Sequence, residues 1–371
     1  MLYITYMTLL DSREEIQKYD KHKLLASIEQ LPAQIQDAWQ QVEALVFPDS
    51  YQSVKNVVVS GMGGSALGAW VLKYLYKKEL QVPFEICSDY ILPGYVSSDT
   101  LVVLSSYSGT TEETLAAGVR ATELGAKVAV ITSGGKLLYE ALHNSWPVYK
   151  IDPKQNPSGQ PRMAIGYAIM GQLAFFSKLG LINTSLQDIL NLVDNLEELV
   201  KRLTVEQVGQ NTAKLLAYQA FDKQIILIAA EHLIGGVHVT NNQLNENAKT
   251  LTAEWHLPEF NHHYMEALSY PARLKEDVLF LLYQSQLYSK ELVKRVELSR
   301  QVIEKMGFEC QVVTATAPTK LEQIFEVITL GAFVNFYLAM LYKIDPAPIP
   351  NVDWFKSEMK KYPTGTVPVG Q

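Results

Sequence analysis

Cysteine is scarce. The 371 residues hold two, Cys87 and Cys310, too few for a disulfide framework or a cysteine-rich zinc site. Buried thiols in a reducing compartment are the expectation. Basic charge is also short: 32 Lys and Arg against 39 Asp and Glu leave a net charge of −7. A basic surface for nucleic acid or an anionic membrane is therefore not expected. A small anion is not excluded, because backbone N–H groups at a helix start hold it without net charge. No stretch reaches about 18 uninterrupted apolar residues, so no membrane span is expected. The N-terminus has no basic region ahead of an apolar core, so it does not read as a signal peptide and the cytoplasm is expected. Apolar material, in contrast, is plentiful: 48% of residues are hydrophobic and 19% charged. That composition builds a sizeable core and rules out a disordered chain. At roughly 100–200 residues per domain, the length implies two domains.

Residues 11–46 read as helical, with Leu24, Leu25, Ile28, Leu31, Ile35, Trp39, Val42 and Leu45 at three- and four-residue steps. Short β-branched runs then alternate with helical segments. Strands are expected at Val57–Val59, Phe84–Cys87, Leu101–Leu104 and Val128–Thr132. Helices are expected over 66–76 and 112–124. Strand–turn–helix repeated in this way means βαβ units and a parallel sheet. A second set follows: strands at 225–230, 277–283 and 310–314, a helix over 290–306, and a long apolar helix over 321–344 ended by the proline-rich run after Asp345. Helices around 186–216 join the two sets.

Two turns carry chemistry. The first, Ser60-Gly61-Met62-Gly63-Gly64-Ser65, sits between a strand and a helix. Glycine permits close backbone approach, and the helix start offers free N–H groups. With Ala66 the stretch also fits G-x-G-x-x-A, and Asp89 ends the next strand, so a dinucleotide remains an alternative here. The second turn, Ser106-Tyr107-Ser108-Gly109-Thr110-Thr111, also leads from a strand into a helix. Three hydroxyls, on Ser106, Ser108 and Thr111, can converge on a phosphate with the N-terminal amides. The other reading is plain helix capping. No lysine follows the glycine, so this is not a nucleotide P-loop. Together in one parallel sheet, the two turns point to a sugar-phosphate site.

These two turns resemble the sugar isomerase (SIS) domain. More specifically, the chain resembles the bifunctional phosphoglucose/phosphomannose isomerases. Three further motifs carry that likeness: Asn156-Pro157-Ser158-Gly159-Gln160-Pro161-Arg162, Asn245-Glu246-Asn247-Ala248-Lys249, and Pro258-Glu259-Phe260-Asn261-His262-His263. Their order and spacing match from about residue 50 to 360. The resemblance implies an α/β fold of two SIS-type doubly wound parallel-sheet, flavodoxin-like subdomains with flanking helices. The expected division is an N-terminal helical segment (1–48), a first SIS domain with the phosphosugar turns (49–190), a second SIS domain (191–345) and a C-terminal tail closing the active site (346–371).

The implied activity is aldose–ketose isomerisation of glucose 6-phosphate, and of mannose 6-phosphate with the epimer left open, to fructose 6-phosphate through a cis-enediolate. Such a reaction needs a ring-opening acid/base pair, a base between C1 and C2, and a cation for the enediolate. By resemblance, Glu246 is the base; it is expected at the start of a helix after a polar loop. His262 opens the ring, reaching the site from the partner subunit, which implies a homodimer. Lys356 aids ring opening, with Lys360 and Lys361 as neighbouring candidates. Arg162 stabilises the enediolate, as suits an always-charged guanidinium. Gly63, Gly64, Ser65, Ser106, Ser108 and Thr111 bind the phosphate. His263 reads as a surface or interface residue. No cofactor and no metal are implied, nor a nucleic-acid or membrane partner.

The chain departs from the pattern at three places. Thr110 stands where asparagine is common. Asn261-His262-His263-Tyr264 replaces an N-H-N-E run. No threonine occurs in Asp345–Pro350, where relatives often carry one linked to accepting both epimers. The rival readings are a non-catalytic sugar-phosphate sensor, an isomerase of another phosphosugar, and a nucleotide-dependent oxidoreductase. A sensor needs only the phosphate turn, and an oxidoreductase leaves the hydroxyl-rich turn without a role.

Overall fold

The structure is a computed structural model and describes residues 9–361. Residues 1–8 of the expected helical segment and 362–371 of the expected tail lie outside the described residues. The expected long N-terminal helix is in fact three: α1 (Arg13–Gln17), α2 (Leu24–Glu29) and α3 (Leu31–Gln41). The breaks have local causes. The Asp20 carboxylate accepts hydrogen bonds from the Leu24 and Leu25 amides, capping a fresh helix start. Pro32 lies in the first turn of α3, where its missing N–H is not needed.

The first sheet is built from β1 (Asn56–Ser60), β2 (Phe84–Cys87), β3 (Thr100–Ser105), β4 (Lys127–Thr132) and β5 (Val148–Lys150). Between them run α4 (Leu67–Leu75), α5 (Glu112–Glu123) and α6 (Gly135–His143). All pairings are parallel, in the order β2-β1-β3-β4-β5. This is the flavodoxin-like arrangement. Side-chain alternation shows the double winding. Val57 and Val59 face one core, while Val58 faces another with Ala117 of α5 and Leu137 of α6. Strands buried on both faces read as unbroken apolar runs, which is why they were legible.

Three helices follow: α7 (Ile165–Lys178), α8 (Leu186–Leu203) and α9 (Thr212–Ala220). The second unit holds β6 (Gln224–Ala229), α10 (Leu233–Asn247), β7 (Thr252–His256), α11 (Leu274–Asp277), β8 (Val278–Ser285), α12 (Lys290–Lys305), β9 (Glu309–Ala315), α13 (Lys320–Leu341) and α14 (Pro350–Met359). Its sheet is also parallel, ordered β7-β6-β8-β9, the same topology as the first four strands.

Two strands have no counterpart in the sequence reading. β5 has three residues. β7 reads Thr-Ala-Glu-Trp-His, half-buried along its length at the sheet edge, so it shows no apolar run. α13 is long and apolar enough by composition to cross a membrane, but 94% of its most apolar window is buried inside the protein. It is a core helix, apolar all round because it is surrounded. Its start is fixed by a capping box between Thr319 and Glu322. One apolar core runs through both units, joining Val59 of β1, Phe175 of α7, Leu227 of β6 and Phe333 of α13.

Candidate active site

β1 and β3 are adjacent, Val59 pairing with Val103, and the chain leaves both at their carboxyl ends. Open parallel sheets bind ligands there. The glycine turn and the serine turn are bonded to each other. The Tyr107 amide donates to Ser65 Oγ at 2.9 Å, and Ser105 Oγ donates to the Ser65 carbonyl at 2.7 Å. Gly109 is left-handed at φ 66°, and a Cβ there would sit 1.8 Å from the Gly134 carbonyl. No other residue fits that position.

Two of the hydroxyls expected to meet are in contact, and the third bonds a neighbour. Ser106 Oγ and Thr111 Oγ1 are 2.8 Å apart, and Ser106 Oγ accepts the Gly109 amide at 3.1 Å. Ser108 Oγ lies 3.1 Å from Thr110 Oγ1 and accepts the Thr110 amide at 3.3 Å. Thr111 is the N-cap of α5, yet its side chain accepts no amide of that helix. The hydroxyl remains available, and so do the first amides of α5. Burial pushes the Tyr107 phenol up, so it stays protonated beside this turn.

Arg162 is brought to this turn by backbone packing. The 3-10 turn Pro161–Met163 rests on the 3-10 turn Gly63–Ser65. A Cβ on Gly64 would come within 3.3 Å of Arg162 Cα, so the small residue sets how closely the two turns approach. The Arg162 residue is 2% exposed, and every arm of its fork is engaged. Nε donates to Asn247 Oδ1, Nη1 to Gln160 Oε1 at 2.9 Å, and Nη2 to the carbonyls of Pro346 and Ala347 at 3.0 and 2.7 Å. Burial pulls its pKa down, against the opposing charges of Glu246 and Asp353; a guanidinium stays charged nonetheless.

Glu246 lies near the end of α10, not at the start of a helix after a loop. The preceding run Gly235-Gly236-Val237 looks breakable in sequence but is helical, because its glycines pack against Val71 of α4 and Ile324 of α13. The Trp70 ring stacks on His238 at 4.3 Å, fixing α10 across α4. Glu246 Oε2 then stands 3.4 Å from Arg162 Nη1, with the glutamate side chain 30% exposed. The result is a carboxylate open to the crevice beside a buried fixed cation.

A second layer escaped the sequence reading. Asn247 Nδ2 donates to Asn335 Oδ1 at 2.9 Å; Asn335 Nδ2 donates to Gln243 Oε1 at 3.3 Å; Gln243 Nε2 donates to the Arg162 carbonyl at 3.1 Å. All three amides are fully buried. Gln243 and Asn247 are four residues apart on α10, one helical turn. Asn335 is the one amide in the apolar stretch 330–341 of α13. Those two spacings were the available signal.

The remaining expected residues are not drawn in. His262 is exposed at the end of the 3-10 turn Glu259–Asn261, and among the described residues no hydrogen bond or ion pair links its imidazole to Arg162 or Glu246. Its neighbour Asn261 is bound instead to Ser299 and Arg295 of α12. His263 pairs with Glu259 at 3.3 Å on the surface. Lys356 is exposed on α14, a helix with no buried residue. Asp353, one turn earlier, is close enough to act on Arg162 electrostatically, so α14 stands beside the site. Lys361 is paired with Glu358 at 2.6 Å. Asp89 is exposed, and its carboxylate accepts its neighbour's amide, from Tyr90.

Residues 50–140 match the SIS domain, and residues 209–359 match the bacterial phospho-glucose isomerase C-terminal SIS domain. A bifunctional phosphoglucose/phosphomannose isomerase of Caldicellulosiruptor bescii is 31% identical over 345 residues, 91% of this chain and 98% of that one. The chain belongs to the bifunctional phosphoglucose/phosphomannose isomerase family. A member of that family from Aquifex aeolicus is 30% identical over 314 residues, 83% of this chain and 91% of its own. Among solved structures, a hypothetical protein from Thermus thermophilus superposes with a TM-score of 0.69 at 18% identity, over 98% of this chain and 95% of that one. The matched regions take in both sheets, with the hydroxyl turn following β3 of the first unit and Glu246 on α10 of the second.

Proposed function

We propose that this crevice interconverts glucose 6-phosphate and mannose 6-phosphate with fructose 6-phosphate. The chain is an aldose–ketose isomerase by its family, and the Glu246–Arg162 pair beside the hydroxyl turn is the observation that supports the mechanism. Ser65, Ser106, Ser108, Thr111 and the backbone of Gly63 and Gly64 hold the phosphate. With C6 anchored there, C1 and C2 reach towards Glu246. The carboxylate takes the C2 proton of the open-chain aldose, and electrons move onto the carbonyl oxygen to form the cis-enediolate. Arg162 opposes that negative charge. Glu246 returns the proton to C1, the C2 hydroxyl passes its proton to the C1 oxygen, and the C2 oxygen becomes the ketone. Nothing beyond side chains is needed to balance this transfer.

Ring opening needs a proton shuttle between the anomeric hydroxyl and the ring oxygen. We assign it to His262 and Lys356. The exposed His262 supports delivery from a second subunit, so a homodimer with two shared sites is part of the proposal. So are a cytoplasmic setting and the unit boundaries at 49–190 and 191–345, with the tail from 346. Without a threonine in Asp345–Pro350, the glucose epimer is the favoured product.

The test is proton NMR on fructose 6-phosphate with purified protein and no added cofactor. Anomeric signals of glucose 6-phosphate should grow in, with weaker ones of mannose 6-phosphate. Unchanged fructose 6-phosphate would refute the reading.

A further inference from the structure

The turn after α10 carries a second cation that the mechanism does not use. Lys249 follows the helix C-cap Ala248 and is left-handed at φ 55°, unusual for a residue with a Cβ. That twist folds the side chain back over the helix end. Its ammonium donates to the Glu246 carbonyl and, at 3.1 Å, to the Pro346 carbonyl. The Pro346 carbonyl also accepts Arg162 Nη2 at 3.0 Å. Two cations therefore share one tail carbonyl, and one of them grips the backbone of the residue that bears the base.

We propose that Lys249 is a positioning residue: as an ammonium it pins the end of α10 to the tail and so holds the Glu246 carboxylate in register with Arg162. The inference rests on the isomerase reading above. The charged groups facing Lys249 are Arg162 from the 3-10 turn before α7, Glu246 from α10, and Asp345 from the tail, itself 2.7 Å from His22. The residue as a whole is exposed, yet desolvation of its ammonium, with Arg162 beside it, lowers its pKa to about 8 against the pull of Glu246 and Asp345. A neutral amine still donates, but without the strength of a charge-assisted bond. The pin therefore weakens as pH rises through 8.

The experiment is the pH dependence of kcat and KM with fructose 6-phosphate for the wild type, Lys249→Arg and Lys249→Met. In the wild type kcat should fall above pH 8 with KM nearly constant. Lys249→Arg, which cannot lose its proton in this range, should keep the neutral-pH kcat and abolish that alkaline fall. Lys249→Met should lower kcat on the order of tenfold at pH 7, as loss of a charge-assisted bond predicts, and its profile should stay flat through pH 8–9. An alkaline fall that persists in Lys249→Arg overturns the inference, as does a Lys249→Met enzyme with wild-type kcat. Absence of turnover in the wild type would instead sink the isomerase reading itself. Should Lys249→Met not fold, the arginine variant alone decides.

Discussion

Each hydroxyl in the serine turn does a different job. Ser106 is buried and receives the Gly109 amide, so it shapes the turn besides the phosphate contact proposed for it. Ser108 is exposed, and among the described residues its side-chain bonds run to Thr110. Replacing it should therefore leave the fold intact. Ser108→Ala is expected to raise KM by roughly tenfold, the worth of one hydrogen bond to a charged group, with kcat nearly unchanged. Steady-state kinetics checks this. An unchanged KM would mean that the phosphate sits elsewhere. The sequence displayed these hydroxyls plainly because their clustering in one turn needs no tertiary information. It could not show that Thr111 leaves α5 uncapped, since an N-cap threonine looks the same whether or not it turns inward.

At the scale of elements, α10 connects the site to the core. Its last turn presents Glu246 to the crevice and Gln243 and Asn247 to the interior, where Asn335 of α13 closes the polar ring. Buried amides of this kind must be fully paired, because each unpaired group bears its whole desolvation cost. Asn335→Leu would strip partners from Asn247 Nδ2 and Gln243 Oε1. The expected loss is about 2–4 kcal/mol of stability, read as an earlier midpoint in urea unfolding. kcat should also fall, because Asn247 receives Arg162 Nε. Wild-type stability in that variant would contradict the role given to the ring. The sequence concealed this element for a physical reason. Gly235 and Gly236, adjacent between Ile234 and Val237, weaken intrinsic helix propensity, and packing against α4 and α13 makes the segment helical. Apolar strands such as β1 and β3 depend far less on context, so they were legible. β7, half-polar and at an edge, was not.

The whole molecule joins two sheets of like topology through one core. The serine turn follows a strand of the first sheet, Glu246 lies on a helix of the second unit, and the carbonyls of Pro346 and Ala347 accept from Arg162. Family motifs implied a site shared by both units before any contact could. They could not reveal that His262, among the described residues, makes no bond to Glu246 within one subunit. The homodimer proposal makes a direct demand on this geometry. Glu246→Gln and His262→Ala should each be inactive alone. Mixed and allowed to exchange subunits, they should recover about a quarter of wild-type turnover, because half the dimers are hybrids with one intact site. No recovery would place His262 in its own subunit's site or outside the reaction.

The central claim is that Glu246 carries the proton between C1 and C2. The most direct test follows deuterium from D₂O into C2 of the glucose 6-phosphate formed from fructose 6-phosphate, comparing the wild type with Glu246→Gln. The wild type should incorporate it. The variant should lose about 10³-fold in kcat, as removal of a general base predicts, while calorimetry shows substrate binding within about threefold of the wild type, because the turn proposed to hold the phosphate follows a strand of the other sheet. A Glu246→Gln enzyme that still turns over and still labels C2 would contradict the account.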